Sequence, residues 1–215
     1  MTNRILVGLG ALALGVGALA WTDPVLNLRG DRFKPLRYDQ MTPEQKTMMD
    51  HLLAGERKGS TTGPFNVFVR SPEMGDLAQQ LGARIRYHSS LPNKLNEMAI
   101  LITARFWGVQ YEWQAHHRLA TQAGLSASII DAIANGKRPP SMDAGEQAVY
   151  DFCHELLTTK QASDAVFQRA VSQFGERGAV DMINVMGYYT LVSLALNTDR
   201  YPLPEGTKPE LKPLP

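Results

Sequence analysis

The chain has 215 residues, 44% of them hydrophobic and 20% charged, a length that buries one sizeable core and argues for one domain. Lys and Arg number 22 against 21 Asp and Glu, a formal net charge of +1, so no overall basic field is available to hold nucleic-acid phosphates. A single cysteine, Cys153, excludes an internal disulfide framework, a cysteine-rich zinc site and any two-cysteine redox centre within one chain.

Residues 1–20 read as a signal peptide: Arg4 gives a weakly positive start, Ile5 to Ala20 carry no charge, and Ala18-Leu19-Ala20 is a small-x-small cleavage pattern. The expectation is an exported protein, periplasmic or secreted, without stable membrane insertion after cleavage; retention by residues 5–21 as an anchor is the alternative. Cleavage would remove one base and no acid, leaving 195 residues of zero formal charge.

Residues 21–40 mix Pro, Gly and charges without periodicity and form an expected extended arm. Helix signals dominate from 41 to 200. Thr42-Pro43 pairs a cap residue with proline at the first helical position, Met48, Met49, Leu52 and Leu53 supply an apolar face, and Gly55 ends the segment. Gly59 to Pro64 read as a loop, and Phe65 to Val69 are too short to demand a strand. Ser71-Pro72 starts a helix towards His88, and Leu95, Met98, Ala99, Ile102 and Phe106 fit another that begins near Pro92 and is interrupted at Gly108. The next carries Tyr111 to Ala123. Ser126 caps a helix to Asn135, Gly136 stops it, and Lys137 to Pro140 link it to an amphipathic run over Ala144–Thr159. Separate helices are expected from Ser163 to Phe174 and from about Ala179 to Asn197. Residues 201–215 hold five of the thirteen prolines and read as an extended tail, loose or wrapped on a neighbouring subunit. No sustained period-two alternation occurs, so the expected class is all-α.

Glu112 and His116 stand at i and i+4, on one helix face, and both move protons. Glu97 lies fifteen residues before Glu112, about 22 Å away along an unbroken helix at 1.5 Å per residue. A break at Trp107-Gly108 folds the second helix back and lets Glu97, Glu112 and His116 share a cleft. There a carboxylate orients the imidazole and raises its basicity. An ordinary solvated pair is the plain alternative for Glu112 and His116, and convergence of Glu97, Glu112 and His116 on a metal is a remoter one. Arg84, Arg86, Lys94 or Arg105 would offset the charge of the two carboxylates; Arg105, Tyr111 and Trp113 are the substrate-binding candidates. Tyr188, Tyr189 and Cys153 read as core, and His117 as surface. His154-Glu155-Leu156-Leu157-Thr158 resembles a zinc-protease motif but has Thr158 in place of the second histidine.

Gly63-Pro64-Phe65, Ser71-Pro72-Glu73, Asn96-Glu97-Met98-Ala99-Ile100-Leu101 and Tyr111-Glu112-Trp113-Gln114-Ala115-His116, followed by Ala123-Gly124-Leu125, resemble the carboxymuconolactone decarboxylase family, which includes the alkylhydroperoxidase D-like proteins. The resemblance runs from about Tyr38 to Asn197. It implies an all-helical fold that forms homo-oligomers, often trimers or hexamers. In the peroxidase branch a glutamate precedes a Cys-x-x-Cys pair and a histidine follows; by that spacing Glu97 and His116 match, but Val109 and Glu112 occupy the cysteine positions. The thiol couple is therefore missing. The decarboxylase branch has a glutamate four residues before the histidine, as Glu112 and His116 do. It implies loss of carbon dioxide from a carboxylated muconolactone without metal or organic cofactor, with Glu97, Glu112 and His116 as the catalytic residues. Antioxidant activity and non-enzymatic binding of a small ligand are the alternatives.

Overall fold

The computed structural model describes residues 23–213. The signal-peptide reading of residues 1–20 lies outside them. Among the described residues the fold is all-α, as expected, with a short 3-10 turn at Tyr38–Gln40 and eight α-helices. These are α1 (Pro43–Ala54), α2 (Phe65–Phe68), α3 (Pro72–His88), α4 (Asn93–Trp107), α5 (Gln110–Gln122), α6 (Ala127–Ala134), α7 (Ala144–Thr159) and α8 (Asp164–Asp199).

Local chemistry sets most boundaries. Thr42 and Gln45 form a reciprocal capping box, Thr42 N–H donating to Gln45 Oε1 at 3.0 Å and Gln45 N–H to Thr42 Oγ1 at 3.4 Å. Ser126 and Ser163 cap α6 and α8 in the same sense. For α7 the cap is Asp143, boxed with Glu146 at 2.8 Å in both directions. The two helices expected on either side of residue 175 are both present within α8, separated by a kink where Gly175 leaves helical geometry at φ 68° and ψ 174°. That conformation is open to glycine and to almost nothing else.

Helix α4 is the centre. Every residue from Leu95 to Arg105 is buried, and α5, α6, α7 and α8 pack around it. A helix buried all round is the expected home of a sequence such as Met98-Ala99-Ile100-Leu101-Ile102. Helix α8 is long and apolar enough by length and composition to cross a membrane; here Met182, Val185, Val192 and Leu196 are buried, against α4, α7 and α3.

The described chain is tied down at both of its ends, near residues 33 and 211. The arm from residue 23 is irregular, as its composition suggests, and is held by Asp199, whose carboxylate accepts from Phe33 N–H at 2.7 Å. The tail lies along α5 of its own chain. Gln110 donates to the Leu211 carbonyl at 2.7 Å, Trp113 Nε1 donates to Glu210 Oε2 at 3.0 Å, and Leu211 is buried.

Candidate active site

The turn between α4 and α5 sets the geometry. Gly108 adopts a left-handed conformation (φ 66°, ψ 28°), and the next amide, Val109 N–H, reaches back to the Ala104 carbonyl at 3.0 Å, closing a Schellman-type cap. The turn is pinned to α8: Trp107 Nε1 donates to Thr190 Oγ1 at 3.2 Å, and Asn197 donates to the Trp107 carbonyl at 3.0 Å. Helix α5 therefore folds back along α4.

That reversal brings Glu97 and His116 together. His116 Nδ1 lies 2.6 Å from Glu97 Oε2, and Nε2 lies 3.2 Å from Glu112 Oε2. All three residues are only 4% exposed, so water competes little for these bonds. Burial alone would push the imidazole toward its neutral form, but the hydrogen bonds and charges of Glu112 and Glu97 outweigh it and raise the His116 pKa to about 9. This favours the charged ring near neutral pH, with Nδ1 hydrogen-bonded to Glu97 and Nε2 within ion-pair distance of Glu112. Across its face stands the Tyr189 ring, edge-on at 4.9 Å between centroids.

Glu112 and His116 form part of the wall of a cavity of about 240 Å³. Arg57, Arg86 and Arg118 also border it, together with Tyr111, Tyr188 and Tyr189. Glu97 faces a second hollow, which shares Arg86 and Tyr87 with the first. Burial lowers the Arg86 pKa, yet Tyr189, Tyr87, Glu97 and Glu112 more than compensate and leave it above the ordinary value. The two tyrosines are held as neutral phenols: burial pushes Tyr188 up to about 12 and Tyr189 well above its usual range. Arg57 Nη2 approaches the Tyr188 hydroxyl at 3.5 Å. This wall depends on Gly82 of α3, where an added Cβ would stand 2.1 Å from the Tyr188 hydroxyl and 2.5 Å from Arg57 Nη2.

The substrate-binding candidates divide. Tyr111 borders the cavity, its ring 4.5 Å from that of Tyr201. Trp113 does not: one residue past Glu112 it sits about 100° further round α5, is 1% exposed and turns its indole toward Glu210. His117 shares that face and pairs with the same Glu210 oxygen at 2.7 Å. Arg105 is also elsewhere, eight residues along α4 from Glu97 and lining a different pocket. Of the other proposed counter-charges, Arg86 borders the site, Arg84 lines a hollow between α3 and α8, and Lys94 is engaged by Asp143 and Glu146. Arg57 and Arg118 border the cavity as well, and neither had a signal in the sequence beyond its charge.

Cys153 is fully buried in α7, and burial pushes its thiol up to about 12. It borders neither cavity beside His116. Among the described residues no group of three or more His, Cys, Asp or Glu side chains is arranged to hold a metal ion.

Residues 72–155 match the family model of the carboxymuconolactone decarboxylase family. The likeness to that family lies in this segment of the chain. No curated protein matches the chain. The decarboxylase-family segment runs from the start of α3 through most of α7, so it contains Arg86, Glu97, Glu112 and His116. It is narrower than the Tyr38–Asn197 stretch of the sequence resemblance. Arg57, Tyr188 and Tyr189 complete the cavity from outside it.

Proposed function

We propose that the protein is a cofactor-independent lyase or isomerase that works by proton transfer on a small carboxylated or lactone substrate. The reading rests chiefly on one observation, a buried histidine ring that meets Glu97 at Nδ1 and approaches Glu112 at Nε2, at the wall of a cavity that three arginines border. Glu97 fixes the ring's orientation and protonation. The Nε2 proton is the one on the cavity side, shared with Glu112. Arg57, Arg86 and Arg118 offset the glutamates and hold the substrate anion.

In a decarboxylation, the bond to the carboxylate breaks, carbon dioxide leaves, and the electron pair passes onto the conjugated lactone carbonyl as an enolate. The phenol of Tyr188 or a guanidinium stabilises that oxyanion. The His116 proton then goes to carbon, and solvent restores it. An isomerase would use the same donor without loss of carbon dioxide. The hydroperoxidase reading gains no support from Cys153, which is buried and remote from the cavity.

Self-association accompanies this reading. Met74, Leu77 and Leu81 of α3 and Val180, Ile183, Leu191 and Leu194 of α8 are exposed apolar side chains that other copies of the chain would cover, in keeping with the trimer or hexamer that the resemblance implies. Light scattering on the purified chain tests it. Export rests on residues 1–20 alone, and N-terminal sequencing of the secreted protein is its test.

For catalysis, a panel of carboxylated lactones is assayed for carbon dioxide release and, by NMR, for product. Turnover should fall by about 10²–10⁴ in His116→Ala, the usual share of a positioned acid, with the circular dichroism spectrum unchanged. Full turnover in His116→Ala would remove the imidazole from the mechanism. Tight binding of a compound recovered unchanged would favour a binding protein instead.

A further inference from the structure

Helix α4 carries a second buried charge. Arg105 is 7% exposed, and two of its guanidinium nitrogens, Nε and Nη2, are shut off from solvent with no hydrogen-bond partner. No carboxylate among the described residues forms an ion pair with it. Burial is the influence that acts on its pKa, pulling it down, with no acid to oppose it. The acids of the neighbouring α7 are all committed elsewhere. Glu146 pairs with Lys94, Asp151 pairs with both Arg138 and Arg169, and Glu155 accepts from the Ser163 amide at 2.7 Å. A buried guanidinium with two unpartnered nitrogens is a costly arrangement, and it is tolerated where something else supplies the counter-charge.

The guanidinium forms part of the wall of a pocket of about 140 Å³ between α4, α6 and α7. Ile102, Ile133 and Leu157 give this pocket an apolar side, and the rings of Phe106 and Tyr150 flank it. Lys137 and His154, both exposed, border its opening, and the Lys160 ammonium lies 5.0 Å from the Phe106 ring centroid. No Asp or Glu is in its lining, and it shares no residue with the cavity beside His116. Apolar cavities of about 150 Å³ take up benzene-sized molecules. Here a cation is added at one wall.

We infer that this pocket is a binding site for a small monocarboxylate with an aromatic or branched apolar body, its carboxylate held by Arg105 and its body between Phe106, Tyr150 and Leu157. The guanidinium fork matches a carboxylate in bidentate fashion, which a lysine would not. Such a site is separate from the proposed catalytic centre and stands or falls without it.

Benzoate is the probe, titrated into the full chain while the isoleucine and leucine methyl resonances are followed by NMR. Saturable shifts are expected at Ile102, Ile133 and Leu157, with none from benzyl alcohol, which has the same body and no charge. Arg105→Met should weaken binding about 10- to 100-fold, the loss expected for hydrogen bonds to a charged group. Leu157→Trp, which fills the pocket and leaves the arginine, should abolish it. Shifts confined to Leu119, lost in Arg86→Met and unchanged in Arg105→Met, would overturn the assignment by moving the anion to the other cavity. Benzoate without effect, together with an assembly that dissociates in Arg105→Met, would overturn it too, because the counter-charge would then come from a second copy of the chain.

Discussion

Helix α4 holds two charged residues inside the same apolar sheath, and they meet opposite fates. Glu97, near its start, finds an imidazole at 2.6 Å, carried there by the reversal at Gly108. Arg105, near its end, is buried to a similar degree and finds no partner. Of the other buried polar residues of the helix, Thr103 donates to the Ala99 carbonyl at 2.9 Å, and Asn96 donates to the Ile85 carbonyl at 3.3 Å while its Oδ1 has no partner. A buried charge with an internal partner supports the fold and prepares chemistry; one without is a strain that a ligand can relieve.

If that contrast is correct, removing the two charges has opposite consequences for stability. Glu97→Ala deletes one side of a buried ion pair and leaves His116 with Glu112 alone, and should destabilise the chain by about 3–5 kcal/mol in urea denaturation. Glu97→Gln keeps a hydrogen-bond acceptor toward Nδ1 and should cost clearly less. Equal losses in the two variants would mean that shape, and not charge, is what Glu97 supplies.

The same pair makes stability depend on pH with a defined sign. The folded-state pKa of His116 is about 9 against an ordinary 6.5, so the folded chain binds this proton more tightly than the unfolded chain does. Its contribution is fully present below pH 6.5 and is lost as pH rises through 9. The whole effect is on the order of 3 kcal/mol. Urea midpoints at pH 6, 7.5 and 9.5 should fall across that window, and the decline should flatten in His116→Gln. A wild-type profile no steeper than the variant's would break the link between the two glutamates and the ring's charge.

Arg105→Met is the counterpart at the far end of α4. An unbranched apolar side chain of similar length replaces an unpaired interior cation, and the expected result is a gain of about 1–2 kcal/mol, read as a higher urea midpoint without ligand. A loss of similar size would show that the guanidinium is satisfied after all, and the comparison between the two ends of the helix would lapse.

Much of this was readable from the sequence where the determinants are local. Thr42-Pro43, Ser126 and Ser163 sit where caps are needed, and Gly108 announces the reversal that lets Glu97 reach His116 across nineteen residues. The cavity wall was much less legible. Arg57 and Tyr188 lie 131 residues apart and meet only because Gly82 of α3 leaves room for both. Periodicity marks Tyr188 and Tyr189 as buried, but it cannot say whether a buried face looks into core or into a cleft. Trp113 and Arg105 show the same limit: proximity to the motif along the chain suggested substrate contact, while a 100° step per residue turned Trp113 toward the tail.

That tail gives the smallest effect. Glu210 accepts from both Trp113 Nε1 and His117 Nδ1, on the side of α5 away from the cavity, so it ties the outer face of the helix that carries Glu112 and His116. The His117–Glu210 pair is about 40% exposed on each side and is worth under about 1 kcal/mol in water. Glu210→Gln preserves an oxygen for the buried indole and removes only the ion pair. It should leave the urea midpoint nearly unchanged while making residues 201–213 more open to limited proteolysis, and added salt should bring the wild type toward the variant. Glu210→Ala, by contrast, strands the Trp113 N–H and should cost about 1–3 kcal/mol. If both variants were silent in proteolysis and denaturation alike, the tail would be held by Gln110 and buried Leu211 alone, and the polar clasp on the outer face of α5 would contribute nothing to holding the helix that carries Glu112 and His116.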